Sequence, residues 1–485
     1  MIRWFCPEVL LVLTGVTLIL ADALIPPGKK EWLPRLSILL GIALFIFTIW
    51  QSGQPMPEVW ANLFVTDGLS LVFKPFFVLC LVGVTLISVR YPMGREEVVR
   101  TEFLALPFFS TAGLCLLASA RDFLAIFVAL ELVAISLYLL AAFHRSRAAS
   151  LEAGMKLLVM GGLSTGFLVM GIAWLYATAG STEFSRIILE QAGRPASPAL
   201  LFAVGLILTG LAFKIAAVPF HAWAPDVYEG APTPITAFLA IASKAAGFVL
   251  LLRIFCLGAF ALDSVGWVFR PILLTMGIAT VTLGTLAALP QRNLKRYLAY
   301  SGIAHAGYML LALGTWGESG MGTVAGYLWA YLLATFPVFI FVQELERVHG
   351  NADMRHLDGL AQRDPGPALG LTLCFLSMAG LPPLLGFSAK LSVFTALWSA
   401  GEIPGLVVGV IMAVVGLGFY LVPIRAMYWE REPDVVPAQR FPSFLVWILL
   451  LAGAAQLILG FQPRPLVRLV EKSLAPMVSG NLQGK

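Results

Sequence analysis

The sequence predicts an all-α protein that crosses a membrane about fourteen times. Three observations carry this. Of its 485 residues 59% are hydrophobic and 12% charged, whereas a soluble domain has roughly 45–50% apolar and about 25% charged residues. The apolar residues fall in continuous runs, and about 20 helical residues cross a hydrocarbon core of roughly 30 Å. The runs do not alternate, so strands fit poorly, and unpaired backbone is excluded from lipid outside a helix or closed barrel.

Taken in order, the spans fall near 6–25, 33–51, 69–89, 101–120, 122–142, 152–178, 199–219, 234–254, 267–289, 293–314, 321–343, 367–394, 404–428 and 441–461. Arg3, the first apolar run and Ala21-Asp22-Ala23 mimic a signal peptide. Pro7 and Glu8 interrupt the expected order of regions, so the first helix is expected to remain. Span 7 runs into Pro219, and span 12 carries Gly380-Leu381-Pro382-Pro383. Proline lacks the backbone donor and clashes with the preceding turn, so both should break. The broken spans are five apart, which suggests two inverted five-helix repeats around an ion path. The expected division is 1–100 (spans 1–3), 101–260 (spans 4–8), 261–430 (spans 9–13) and 431–485 (span 14 and tail).

Lysine and arginine set the expected orientation. Loops after odd-numbered spans hold seventeen of them, Lys295 included, and loops after even-numbered spans hold five, Arg253 included. The odd loops should therefore be cytoplasmic and both termini non-cytoplasmic, although the tail with Arg464, Arg468, Lys472 and Lys485 runs against the trend.

Five lysines remain within or at the edge of apolar runs: Lys74, Lys156, Lys214, Lys244 and Lys390; Glu131 joins them. A central charge costs about 2.5–3.5 kcal/mol on insertion scales and usually faces a cavity or a partner. Lys74 lies near a span end, where snorkelling to the headgroups is the expectation. Lys156 suits snorkelling and a cavity role equally. Glu131 is too deep to snorkel. Lys214 precedes Pro219 by about one and a half turns, and freed backbone there can hold water. Lys244 has small neighbours, and Lys390 follows the double proline. Burial and a nearby carboxylate push a lysine's proton affinity in opposite directions, so a separable Glu131–Lys214 pair would be a switch. His305 titrates near neutrality and suits either a relay or a hydrogen-bond role, as does His221.

Other chemistries lack their residues. The five cysteines are isolated, without the CxxC spacing of an iron–sulfur or zinc site. The histidines are scattered, and no phosphate-binding glycine loop is present. Proton or cation movement is what the remaining groups can do.

The stretch Asp226-Val227-Tyr228-Glu229-Gly230-Ala231-Pro232-Thr233-Pro234, within 213–234, resembles the antiporter-like subunits of respiratory complex I, in particular the subunit N (chain 2) type of NADH–quinone oxidoreductase. Residues 295–308 and 376–390 agree, although Ser388-Ala389 stand where the family more often has Ile-Gly. The resemblance implies fourteen helices, inverted five-helix repeats and broken helices 7 and 12. It implies an acid–lysine pair at Glu131 and Lys214, a central lysine at Lys244, a helix-12 lysine at Lys390, and axial polar residues at Lys156 and His305. It implies proton translocation coupled to electron transfer from NADH to quinone in partner subunits. NADH, FMN, iron–sulfur clusters and quinone would be bound there, with no cofactor in this chain. Expected partners are other membrane subunits of the complex, antiporter-like paralogues among them, and the lipid of a bacterial plasma membrane, with no nucleic acid. No segment after span 14 suggests the long lateral helix of the family's largest such subunit. The rival readings are a cation/proton antiporter subunit of Mrp type, a ferredoxin-linked photosynthetic relative, and a subunit that keeps the fold without conducting.

Overall fold

The computed structural model describes residues 6–26, 29–53, 59–60, 62–91, 101–191, 194–256, 263–316, 318–429 and 441–462. Arg3, Arg95, Arg100, Arg431, Arg440 and the basic tail residues used in the orientation lie outside them.

The described residues are helical nearly throughout. Its first helices are α1 (Cys6–Leu24), α2 (Leu33–Ser52), α3 (Gly68–Ser88), α4 (Thr101–Ser119), α5 (Phe123–Ala141) and α6 (Ala148–Ala179). Then come α7 (Phe184–Gln191), α8 (Pro198–Lys214), α9 (Trp223–Gly230), α10 (Thr233–Phe238) and α11 (Lys244–Leu251). They are followed by α12 (Asp263–Ala288), α13 (Leu294–Gly314), α14 (Glu318–His349), α15 (Leu360–Arg363) and α16 (Pro365–Ala379). The last are α17 (Leu385–Ser399), α18 (Ile403–Trp429) and α19 (Ser443–Phe461). A two-stranded antiparallel hairpin, β1 (Val59–Trp60) and β2 (Phe64–Val65), precedes α3. Among the described residues eleven helices are long and apolar enough to cross a membrane. Every expected span falls on helix; span 7 lies on α8, which ends at Lys214 before the span does, and span 12 lies on the pair α16/α17.

Side-chain oxygens at several helix starts accept otherwise unpaired backbone donors. Asp67 and Ser70 form a capping box on α3, Asp122 accepts from Leu124 and Ala125 at α5, and Asn293 accepts from Lys295 and Arg296 at α13. Apolar side chains left bare on α1, α2, α6, α18 and α19, such as Leu20, Leu39, Val159, Val414 and Ile458, suit contact with lipid.

The chain divides into two compact units. The first contains α1–α8, α10 and α11; the second contains residues 217–229, with nearly all of α9, and the helices from Arg270 onward. The four-part division expected from sequence groups residues differently, keeping 217–229 with spans 4–8.

Candidate functional site

In the first unit the sites collect on α5, α6, α8 and α11. Glu131 lies half-buried midway along α5, where its Oε1 accepts a hydrogen bond from Thr165 of α6 at 2.9 Å. The adjacent Ser164 donates to the carbonyl of Gly210 at 2.8 Å and so ties α6 to α8. A Cβ on Gly210 would come within 2.9 Å of the Ser164 carbonyl, so only glycine permits that approach. Lys214 is the last residue of α8 and is half-buried. Among the described residues Glu131 and Lys214 make no direct ion pair within 4.0 Å. The expected pair is thus a separated one. The break also begins earlier than Pro219: the helix ends at Lys214, and Ala216 takes a left-handed φ of 55°. A non-glycine residue there is strained, and such strain concentrates at functional positions.

Lys244, 2% exposed, opens α11 directly after a π-helical turn at Leu239–Ser243. Such wide turns recur at functional sites. Gly247, one turn along the same face, packs where a Cβ would meet Ile215 at 2.5 Å and the Lys214 Cβ at 3.6 Å. That close approach brings the Lys244 face of α11 against the end of α8. Lys156 stands apart: it pairs with Glu152 one turn earlier on α6 at 2.7 Å, both side chains substantially exposed.

In the second unit His305, 5% exposed on α13, sits between hydroxyls. Its Nδ1 lies 2.7 Å from the Tyr327 oxygen and its Nε2 2.9 Å from that of Tyr420. Tyr420 also shares a short hydrogen bond with Ser301. Lys390, 5% exposed on α17, donates to the carbonyl of Ala379 at 2.7 Å and lies 5.1 Å over the Tyr308 ring. That carbonyl belongs to the last residue of α16, one of the acceptors a helix end leaves unpaired. Gly380 follows with φ 85°, and a Cβ there would meet the Lys390 chain at 2.7 Å. Glycine is needed twice over, for the turn and for the lysine's room. His221 lies half-buried in the loop between α8 and α9, its Nδ1 without a hydrogen-bond partner among the described residues.

Three positively charged residues were assigned to the wrong environment by sequence. Lys74 does not snorkel: it is 2% exposed and paired with Glu8 of α1 at 2.8 Å. Arg253, counted as a loop residue, is 3% exposed, and forks onto Asp67 at 2.8 and 2.9 Å while also donating to the Ala118 carbonyl. Lys295, likewise counted with the loops, is 2% exposed and paired with Glu346 of α14 at 3.3 Å. Glu8, Asp67 and Glu346 lie near the ends of runs, where a carboxylate reads as a loop or cap residue. Only the partner lysine or arginine across the fold reveals them as buried. Among the described residues no group of three or more His, Cys, Asp or Glu could hold a metal ion.

Residues 120–416 match the family model described as NADH:quinone oxidoreductase/Mrp antiporter, TM. NADH-quinone oxidoreductase subunit N 2 of Solibacter usitatus is 37% identical, with 96% of each chain covered. NAD(P)H-quinone oxidoreductase subunit 2 of Microcystis aeruginosa is 34% identical over 98% of this chain and 91% of that one. A chain of respiratory complex I from Thermus thermophilus has a TM-score of 0.80 at 32% identity, covering 96% of this chain and 99% of that one. A chain of the Mrp complex from Dietzia sp. has a TM-score of 0.83 at 22% identity over 98% of each chain, a likeness of fold alone. The chain belongs to the NADH:quinone oxidoreductase/Mrp antiporter family of membrane proteins, and within it to the subunit N proteins.

Proposed function

We propose that this subunit N protein moves protons across a membrane within a complex whose other subunits pass electrons from NADH to quinone. The observation that carries the reading is the placing of ionisable groups at helix interruptions, with Lys214 ending α8 and Lys390 bonded to the end of α16. Interrupted helices in membranes supply the unpaired backbone and the space that an ion path needs.

In the first unit Glu131 is the electrostatic lever. Moving its carboxylate toward Lys214 holds a proton on the lysine, and withdrawing it lets the proton pass to Lys244. In the second unit His305, held between two tyrosine hydroxyls, exchanges protons through either ring nitrogen. Lys390 then takes and releases the proton at the α16 break. His221 and Lys156 are outlying members, at the α8–α9 loop and on the α6 surface. The five-helix repeats belong to this same reading, as does travel from the cytoplasm to the face bearing the termini. NADH, FMN, iron–sulfur clusters and quinone are assigned to partner subunits, antiporter-like paralogues are expected neighbours, and a bacterial plasma membrane is the expected site. The name of the Microcystis aeruginosa relative, NAD(P)H-quinone oxidoreductase subunit 2, keeps NADPH beside NADH as an electron donor in the second reading.

The test is NADH-driven proton pumping in sealed vesicles carrying the assembled complex, with Glu131→Ala and Lys214→Ala compared to wild type. Pumping and coupled oxidation should fall together while a native gel shows intact complexes. Wild-type pumping per electron in both variants would sink the relay. Co-purification without flavin and iron–sulfur subunits would instead favour a cation/proton antiporter.

A further inference from the structure

We propose that one winding ridge of α14 carries a second, loop-side proton path that ends at His305 and is gated by Phe339. It rests on the proton-translocating reading above.

Every fourth residue of α14 from Tyr327 onward is Tyr331, Thr335, Phe339, Gln343 and Arg347, a spacing that makes each the neighbour of the next along a ridge winding about 40° round the helix per step. The inner end of this ridge is polar. Tyr327 reaches His305 at 2.7 Å, the Tyr331 ring lies 5.0 Å from the imidazole, and Thr335 follows Tyr331 one turn along the helix. Thr335 in turn donates to the sulfur of Met378 at 3.5 Å.

The outer end is also polar, and buried. Glu346, on the face of Gln343, pairs with Lys295 of α13 at 3.3 Å, with side chains 6% and 3% exposed. Glu344 is 2% exposed and pairs with Arg347 at 2.8 Å. Gln343 lies one turn deeper at 1% exposure, and among the described residues neither its amide nitrogen nor its oxygen has a hydrogen-bond partner. Buried amides are rarely left so, and water is the usual partner where protein supplies none. An apolar side chain would have served a purely structural position better.

Between the two ends stands Phe339, fully buried. Eight residues separate Thr335 from Gln343, about 12 Å along a helix. Pro337 lies in that gap and cannot donate, so the Leu333 carbonyl loses its helical partner and the segment is the natural place for α14 to bend. In that place the apolar ring stands between the two polar ends. A swing of Phe339 lets water join the Gln343 amide to the Thr335 hydroxyl. A proton taken up by Glu346 when Lys295 withdraws then passes along that water to the tyrosines and His305, each oxygen gaining one proton as it gives up another.

The experiment uses the assembled complex in sealed vesicles, with Gln343→Leu, Gln343→Glu and, as reference for the main relay, Lys244→Ala. Losing a hydrogen-bonding group of about 1.4 kcal/mol corresponds to roughly tenfold in rate, so Gln343→Leu should pump roughly tenfold more slowly with assembly intact. Gln343→Glu should recover most of that, which a packing role would not produce. If Gln343→Leu pumps at the wild-type rate while Lys244→Ala does not, the α14 path is overturned and the relay stands; if neither variant matters, both fall. Should Gln343→Leu fail to assemble, Phe339→Tyr decides. A hydroxyl in the gap should speed passive proton leak in resting vesicles, and an unchanged leak overturns the gate.

Discussion

Lys74 and Arg253 of the first compact unit and Lys390 of the second are buried cations held in different ways. In the first, Lys74 and Arg253 are each locked to a carboxylate, Glu8 at 2.8 Å and Asp67 at 2.8 Å. In the second, Lys390 meets a carbonyl and an aromatic face, and among the described residues no carboxylate lies within ion-pair distance of it. His305 is likewise held by neutral hydroxyls. A buried charge with its counterion at hand resists changing its protonation state, because losing the proton strands the partner. One held by neutral groups can gain or lose a proton without leaving an opposite charge behind. Burial alone is therefore a poor sign of function in such a protein; the kind of partner separates a staple from a relay. Lys295 with Glu346 is the second unit's exception, and its unpaired neighbour Gln343 is what sets it apart from a plain staple.

The contrast breaks first, if it breaks, at Arg253. Arg253→Leu leaves Asp67 uncompensated, which costs about 3–5 kcal/mol for a buried pair; the assembled complex should be lost on a native gel. Recovery of assembly by Asp67→Asn in the same chain would sharpen the staple reading, since asparagine can still cap α3. Lys390→Met should do the reverse. It strands no carboxylate, so assembly should persist while pumping falls by about 10²-fold, the low end for removing a proton-transfer group. Loss of assembly with Lys390→Met would erase the distinction between staple and relay. A smaller effect is expected where both members of a staple go together: Lys74→Met with Glu8→Leu should be close to neutral in thermal stability, whereas Lys74→Met alone is not.

The smallest effect belongs to the exposed loop pair of Arg355 and Asp353, 3.0 Å apart. The hydrogen bond from Arg355 holds the Asp353 carboxyl below its ordinary 3.8. A carboxyl whose pKa is lowered by folding contributes stability that is complete above the ordinary value and lost as pH falls through the lowered one. Wild type should therefore melt slightly above Arg355→Ala by a constant margin between pH 5 and 8, and the two should converge in stronger acid, the margin being small because the pair is exposed.

Much of the candidate site was legible because lipid makes charge conspicuous. Glu131, Lys214, Lys244 and Lys390 stand out in apolar runs for an energetic reason, and the prolines at 219 and 382–383 mark the interruptions beside two of them. Near the ends of the runs the signal fades. There a lysine can reach water by snorkelling, so sequence gives Lys74 and Lys295 the same reading as any headgroup lysine. Lys156 shows the opposite ambiguity, since its pairing with Glu152 one turn away is local and leaves both side chains substantially exposed. Gln343 and the α14 ridge escaped notice because an uncharged amide barely disturbs hydropathy.

By itself the sequence determined the helical membrane architecture, the positions of the spans, the two interrupted helices and the family. These follow from local properties: apolar length, the backbone chemistry of proline, and the cost of charge in lipid. Tertiary structure alone decided which charges are neutralised and by what. It put Glu8 against Lys74 and Asp67 against Arg253, left Glu131 apart from Lys214, and gave His305 two tyrosines and Lys390 a helix end. Those pairings join residues up to 186 positions apart, and no window of sequence contains the distance on which an electrostatic interaction depends.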